Sequence, residues 1–314
     1  MFGSFKNRRS AIGAAMLALG LLAGAAQGTA QAADAVRVGS KLDAESGLLG
    51  TMILQMLQAN GIATENKIQL GPTKIVRGAL LSGEIDLYPE YTGNGAFFFN
   101  IDSDPVWKSA DAGYEKVRTL DQEKNRIVWL TPAPANNTWA LAVRRDVANA
   151  NKLATMDDFA KWVSGGGKAK IAASAEFVES PAALPSFQQT YGFSMRPDQL
   201  LVLAGGDTAA TIRAAAEGTS GVNTAMVYGT DGAIAALDLV VLKDTKGAQM
   251  VYEPAPTVRA PVLEANPKIR DLLAPVFTSL NAETLRALNA KISVEGQDQK
   301  QVATDYLKSK GFLK

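Results

Sequence analysis

The sequence predicts a two-lobed α/β protein behind an N-terminal export signal, on three observations. Strand-like and helix-like segments alternate along most of the chain, the pattern of a largely parallel sheet. That alternation starts afresh after residue 136. A basic, then apolar, then small-residue leader precedes both halves.

In the leader, Lys6, Arg8 and Arg9 stand before the short apolar run AIGAAMLALGLLAGAA (Ala11 to Ala26). AQAA then supplies the small residues that cleavage after Ala32 or Ala33 requires. Residues 1–33 are therefore expected to be a signal peptide that sends the chain to the periplasm. The run falls short of the roughly 20 apolar residues of a spanning helix. A lipid anchor on cysteine is excluded, because the chain has no cysteine. The Arg8–Arg9 pair also fits an export route for folded proteins, with ordinary secretion the expected path. About 280 residues remain after cleavage, and at roughly 100–200 residues per domain two domains are expected.

Composition removes whole classes of chemistry. With no His and no Cys, a Ser-His-Asp triad, a Cys nucleophile and every His- or Cys-ligated metal site are impossible. The net charge of +1 turns slightly negative once the leader is gone, and no basic stripe marks a nucleic-acid binder. Carboxylate or lysine catalysis stays open. A binding protein without cofactor or metal is favoured.

The elements follow in order. VRVGS (Val36 to Ser40) reads as a strand and LLGTMILQMLQANG as an amphipathic helix ending at Gly61. NKIQL is a second strand, GPTKIVRGALLSG a helix between Pro72 and Gly83, and EIDLY a third strand. In such sheets ligands lie beyond the carboxyl ends of the strands, so the loops after Val38, Leu70 and Tyr88 are candidate site loops. The second unit starts at NNTWALAVRRDV. It runs on through the helix TMDDFAKWV, the strand AKIAAS, a helix in AGGDTAATIRAAA and the strand and turn GVNTAMVYGTDG. The two stretches GPTKIVRGALLSGEIDLYPEYTG and GGDTAATIRAAAEGTSGVNTAMVYGTDG have the same plan: glycine turn, threonine at a helix start, helix, then a strand ending in Tyr and Gly. Helices after Asn266 return to the first lobe. The lobes are therefore drawn as 34–135 plus 254–314 and as 136–253. The proline-rich segments TPAPANNT and VYEPAPTVRAP are the two crossings of a hinged cleft, or else ordinary surface loops.

Several motifs have bland readings. Thr73 and Thr208 are expected to cap helices. VSGGGKAK lacks the phosphate-loop spacing and reads as a flexible turn. Glu84, Asp86 and Glu90 are assigned to helix-end and loop hydrogen bonds. Tyr88, Trp107, Trp129 and Trp162 are assigned to the core.

Four segments in the right order (VGSK…E…LLG…ILQMLQANG, GPTKIVRGALLSGEIDLYPEYTG, NNTWALAV and YGTDG) resemble the substrate-binding proteins of osmoprotectant ABC importers, the binders of glycine betaine, choline and related compounds. The resemblance runs from about Val36 to the C-terminus, and EYTGNGAFFF, TPAPANNTW and AGGDTAATI bring it nearest to one branch of that family. It implies a type II-like periplasmic binding protein fold with the cleft between the lobes. The implied ligand is a small methylammonium compound, taken from the cleft by an ABC permease and its ATPase at the inner membrane, and the protein is implied to work as a monomer.

The family encloses the trimethylammonium group in aromatic rings, whose faces meet its diffuse charge at roughly 0.5–2 kcal/mol each. By motif, Tyr91, Tyr228 and Tyr252 match ring positions, and Trp139 stands where the family often has Tyr. A tyrosine at a strand end is otherwise most often a packing residue. Lys41 matches the family's carboxylate-binding lysine. Ser180 falls where the family has an arginine, Asn137 where some members have an acid, and Asn94 where many have Thr. A hydroxyl cannot reproduce the two-pronged clamp of arginine. Three other readings stay open: a binder of a different small solute such as an amino acid, a periplasmic lyase or dehydratase with two facing acids in the cleft, and a sensor subunit.

Overall fold

The first sheet is assembled from both ends of the chain. The computed structural model describes residues 35–203 and 207–314, and the expected signal peptide lies outside the described residues. β1 (Val36–Lys41), α1 (Ala44–Ala59), β2 (Thr64–Gly71), α2 (Thr73–Ser82) and β3 (Leu87–Tyr91) alternate as expected. After α3 (Gly95–Phe98) and α4 (Ala110–Asn125), β4 (Ile127–Trp129) closes this stretch. The chain then builds β5 (Trp139–Arg144), α5 (Arg145–Asn151), α6 (Met156–Ser164), β6 (Ile171–Ser174), α7 (Ala175–Glu179), α8 (Leu184–Tyr191) and β7 (Leu200–Leu203). α9 (Thr208–Glu217), β8 (Thr224–Tyr228), α10 (Gly232–Ala236) and β9 (Leu239–Val241) complete the second unit. β10 (Pro254–Arg259) returns to the first sheet. It is followed by α11 (Ala260–Ala265), α12 (Lys268–Thr278), α13 (Ala282–Ser293) and α14 (Gln299–Ser309).

The sheet orders are β2-β1-β3-β10-β4 and β7-β6-β8-β5-β9. They repeat one plan: two parallel pairings about the second strand in each order, then two antiparallel ones. Under this correspondence β3 matches β8, so Tyr91 and Tyr228, each the last residue of its strand, occupy equivalent positions. The loose sequence likeness between the two halves therefore reflects a repeated topology.

Because successive strand residues face opposite sides, Leu87 packs with α1, α12, α13 and α14 on one face of the first sheet. Tyr88 packs with α2, Trp107 and Trp129 on the other. α6 and α8 cover one face of the second sheet, and α9 and α10 the other. Trp107, Trp129 and Tyr88 are fully buried, as expected, and Trp162 is partly buried edge-on against Phe159. No helix among the described residues is long and apolar enough to cross a membrane.

Two local expectations are corrected. Pro72 and Asp207, rather than Thr73 and Thr208, hold the cap positions of α2 and α9, and Asp207 Oδ1 accepts from Ala209 N at 2.9 Å. Each threonine is instead the first residue inside its helix. The third strand starts at Leu87 and not at Glu84, because the N–H groups of Glu84 and Ile85 both donate back to Ala79 O and finish α2. Asp86 is an ion-pair centre in place of a loop hydrogen bonder. It accepts from Arg37 N, Nε and Nη2 and from Arg259 Nη1 at 2.8–3.0 Å, which pins β1 and β10 to the start of β3. These guanidinium groups hold its carboxyl below the usual range against the opposing effect of burial.

The two connections between the sheets are residues 130–138 and 242–253, and the first hydrogen-bonds to the end of the second and to the start of β10. Leu130 N donates to Pro256 O (2.9 Å), Ala133 N to Pro254 O (2.8 Å) and Asn137 N to Tyr252 O (2.9 Å). Tyr252 N donates to Asn136 Oδ1 (2.8 Å). A proline has no N–H, and here Pro254 and Pro256 are asked only for their carbonyls. The two prolines at the start of β10 thus suit this pairing.

A buried pair braces the first sheet from behind. Asp121 of α4, fully buried, accepts from both terminal nitrogens of Arg77, from Trp129 Nε1 (2.7 Å) and from Asn125 Nδ2 (2.8 Å). Removing one partner strands a buried charge. The substitution Asp121→Ala is therefore expected to lower stability by about 3–5 kcal/mol, read from urea unfolding, with the double variant R77M/D121A losing less than the sum of its parts.

Candidate ligand-binding site

The C-terminal ends of the parallel strands and the two crossings enclose a cavity of about 860 Å³, inside the roughly 300–1,000 Å³ range of small-molecule sites. The end of β1 contributes Lys41 and the loop after it Asp43, the start of α2 Thr73, the end of β3 Tyr91 and the turn after it Asn94. These are the loops that the sequence picked out. The second sheet contributes Trp139 and Tyr228, and the crossings Asn137 and Tyr252.

Register puts the rings where they are. Trp139 opens β5 opposite Tyr228, and the two rings stack with centroids 6.4 Å apart and planes 24° apart. Phe177, fully buried, meets the Trp139 ring edge-on at 6.0 Å and fixes it from behind. Tyr91 ends β3 opposite Pro254, two residues beyond Tyr252. The Tyr252 ring lies directly on the backbone of Gly93, where a Cβ would come within 2.7 Å of ring carbon Cδ1, so no other residue fits there without shifting the ring. Burial raises the phenols of all three tyrosines: Tyr91 well above its ordinary value, Tyr252 to about 12, and Tyr228 upward. The rings therefore stay neutral at physiological pH, with their electron-rich faces available to a cation.

Lys41 is already paired. Its Nζ donates to Glu90, which is fully buried, and sits 4.6 Å from the centroid of the Tyr91 ring. Glu90 also accepts from Tyr88 Oη, Tyr91 N and Asn94 Nδ2, each at 2.7 Å. It is a structural counter-ion, which corrects its assignment to loop hydrogen bonding. Beside it, Glu45 of α1 accepts from Tyr91 Oη at 2.7 Å and from Asn137 Nδ2 at 3.3 Å. Asp43 caps α1, accepting from Ser46 N at 2.8 Å, and is the one carboxylate among the lining residues. The described residues include no group of three or more acids arranged to hold a metal ion.

Residues 34–309 match the family described as the substrate-binding domain of ABC-type glycine betaine transport systems. The chain belongs to this family. It is 59% identical over 284 residues to the glycine betaine-binding protein YehZ of Escherichia coli, across 90% of this chain and 93% of that protein. It is 30% identical to a glycine-betaine-binding protein of Pseudomonas aeruginosa, across 92% and 91% of the two chains. The solved structure of apo YehZ superposes with a TM-score of 0.87, covering 89% of this chain and 100% of that one. A glycine betaine/carnitine/choline ABC transporter structure at 20% identity gives a TM-score of 0.78, covering 88% and 99%, and shows the shared fold. The fold is accordingly the two-lobed α/β fold of periplasmic binding proteins.

Seven of the eight sequence-selected residues (Tyr91, Trp139, Tyr228, Tyr252, Lys41, Asn137 and Asn94) line the one cavity. Ser180 does not: it caps the end of α7, its N–H donating to Glu176 O at 2.8 Å, and its neighbours Pro181 and Ala182 reach the cavity instead. Sequence reasoning did not single out Lys108, Phe97, Gln249 or Ser186, which also line it. Phe97 belongs to the quoted GAFFF run. Lys108, Gln249 and Ser186 lie on loops or a short helix with no motif to mark them.

Beside Tyr252 on the return crossing, burial and then Asp111 push the Glu253 carboxyl up from near 4.5 to about 7. The folded state therefore holds this proton more tightly than the unfolded chain. Its contribution to stability is complete below pH 4.5 and is lost as pH rises through about 7. The variant E253Q removes that slope. Its melting temperature is expected to match the wild type at pH 4 and to exceed it at pH 8.

Proposed function

We propose that this protein is a periplasmic solute-binding component of an ABC importer, and that its cavity holds glycine betaine or a closely related quaternary ammonium compound. The carrying observation is the convergence of Tyr91, Trp139, Tyr228 and Tyr252 on one cavity, from both sheets and the return crossing, in a chain belonging to the glycine betaine-binding family. A trimethylammonium group has no N–H, so ring faces suit it better than directed acceptors, at roughly 0.5–2 kcal/mol per ring. Tyr91 and Tyr252 form the wall on the first-sheet side and Trp139 with Tyr228 the wall on the other. Lys41, Asn94 and Asn137 offer N–H donors for the carboxylate end, and Ser180 supports the Pro181–Ala182 edge instead of touching the ligand.

On this reading residues 1–33 are a signal peptide, and residues 34–135 plus 254–314 and residues 136–253 are lobes that close about the paired crossings. The closed monomer is presented to a permease and its ATPase, and no chemistry is done on the solute. A lyase would need two facing acids, whereas Asp43 is the single lining carboxylate and is spent on capping α1.

Calorimetry on protein refolded from denaturant, to remove carried-over solute, tests this with glycine betaine, choline, carnitine, proline betaine and proline. Methylated ammonium compounds are expected to bind and unmethylated proline to bind far more weakly. Replacing Tyr91 or Trp139 by Ala is expected to raise Kd by roughly tenfold. The variant K41M is expected to weaken glycine betaine more than choline, since choline has no carboxylate. Heat from none of these ligands at millimolar concentration would refute the aromatic cage.

A further inference from the structure

Glu45 accepts hydrogen bonds from three separate parts of the chain and is not itself among the residues that line the cavity. The side chain belongs to the first turn of α1 and is 5% exposed. Its Oε1 accepts from Tyr91 Oη at the end of β3 and from Asn137 Nδ2 on the first crossing. Its Oε2 accepts from Asn289 Nδ2 of α13 at 2.6 Å. The same Asn289 amide donates to Thr230 O at 2.9 Å, in the turn after β8 of the second sheet. Arg286, one turn earlier on α13, donates Nε to Gly229 O at 2.7 Å in that turn. The turn and α13 are in backbone contact, because a Cβ on Gly232 would lie 2.4 Å from Ala290 N.

Two further observations say that the carboxylate organises this junction. The amide oxygens of Asn137 and Asn289 are both buried with no donor among the described residues. Both asparagines thus direct their N–H groups at Glu45, so one side chain collects donors from the first crossing and from α13. A phenol that donates to a carboxylate also gains electron density on its ring, which strengthens the attraction of its face for a cation.

We infer that Glu45 is a positioning residue for ligand binding: it fixes and polarises the Tyr91 ring and, through Asn289, ties that ring to the Gly229–Gly232 turn carried by the second sheet. This rests on the proposed role of Tyr91 as a cage wall. It adds that the two walls of the cavity are held in register by one carboxylate that never touches the ligand. Loss of Glu45 then loosens Tyr91 and the turn together.

The variants E45A, E45Q, Y91F, N289A and E45A/Y91F separate these effects. Glycine betaine titration is expected to give about a tenfold rise in Kd for E45A, with part of the affinity restored in E45Q, whose amide oxygen still accepts from Tyr91 but whose NH2 cannot accept from Asn289. Y91F keeps the ring and loses the hydroxyl, so it is expected to weaken binding nearly as much as E45A, and the double variant no more than either. Hydrogen exchange on the ligand-free protein provides a readout independent of the ligand. Amides of residues 91–95 and 229–232 are expected to exchange faster in E45A and in N289A, with those of β7 unchanged. Wild-type affinity in Y91F, additive losses in the double variant, or unaltered exchange at both segments would overturn the inference. If the wild type binds no methylammonium compound, the ligand reading fails, and the exchange data still decide whether Glu45 holds the junction. If E45A does not fold, Y91F and N289A decide it alone.

Discussion

The geometry of the cavity depends on the antiparallel pairing of the two segments that cross between the sheets. Residues 130–138 leave the first sheet while residues 242–253 return to it, and the hydrogen bonds from the first segment to Tyr252 and to the start of β10 carry the register of one sheet into the other. Trp139 begins its strand one residue beyond this pairing, and Pro254 sits opposite Tyr91 at its other end. Strand side chains alternate between faces, so a slip of one residue in the crossings would turn Trp139 or Tyr252 away from the cavity. The prolines protect against such a slip: where a proline carbonyl is the acceptor, its missing N–H cannot support the alternative pairing.

The repeated sheet order explains why the aromatic side chains converge. Two sheets of the same plan present the C-terminal ends of their parallel strands to each other, and strand ends are where loops can hold functional side chains without disturbing the ladder. Tyr91 and Tyr228 are the same topological position used twice. Their environments differ, however. Tyr91 is 6% exposed and tied by its hydroxyl to Glu45, whereas Tyr228 is 38% exposed and stacked on Trp139. The first-sheet wall is thus set by hydrogen bonds and the second-sheet wall by ring packing.

The fold was legible in the sequence because periodicity and punctuation agree. GPTKIVRGALLSG is closed by a left-handed Gly83 (φ 80°), the first crossing is marked by Pro132 and Pro134, and the end of the second by Pro254 and Pro256 at the start of β10. Tyr91, Trp139, Tyr228 and Tyr252, though not Phe97, were legible through short motifs that the family shares. The carboxylates behind them were not. Glu45 meets Asn289 across 244 positions of sequence and Glu90 meets Lys41 across 49, and no local pattern encodes such a pairing. The boundary error at Glu84 has a different cause: the hydrophobic pattern of EIDLY continues through residues whose N–H groups are still finishing α2.

Glu90 also bears on which ligand charge the cavity accepts. An unpaired lysine about 5 Å from a bound quaternary ammonium would repel it by about 3 kcal/mol at an effective dielectric constant of about 20, which would cancel the gain from one or two ring faces. With the Glu90 carboxylate in direct contact with the Lys41 ammonium, that repulsion is largely offset, while Lys41 keeps a cavity-lining position. On the proposed reading, the pair therefore lets a cation approach Tyr91 while the Lys41 ammonium stays available to a ligand carboxylate. A solute that carries both charges gains at both ends, and a simple cation gains at one. On the proposed reading, the buried glutamate makes an aromatic cage with a lysine in its wall favourable for a zwitterion.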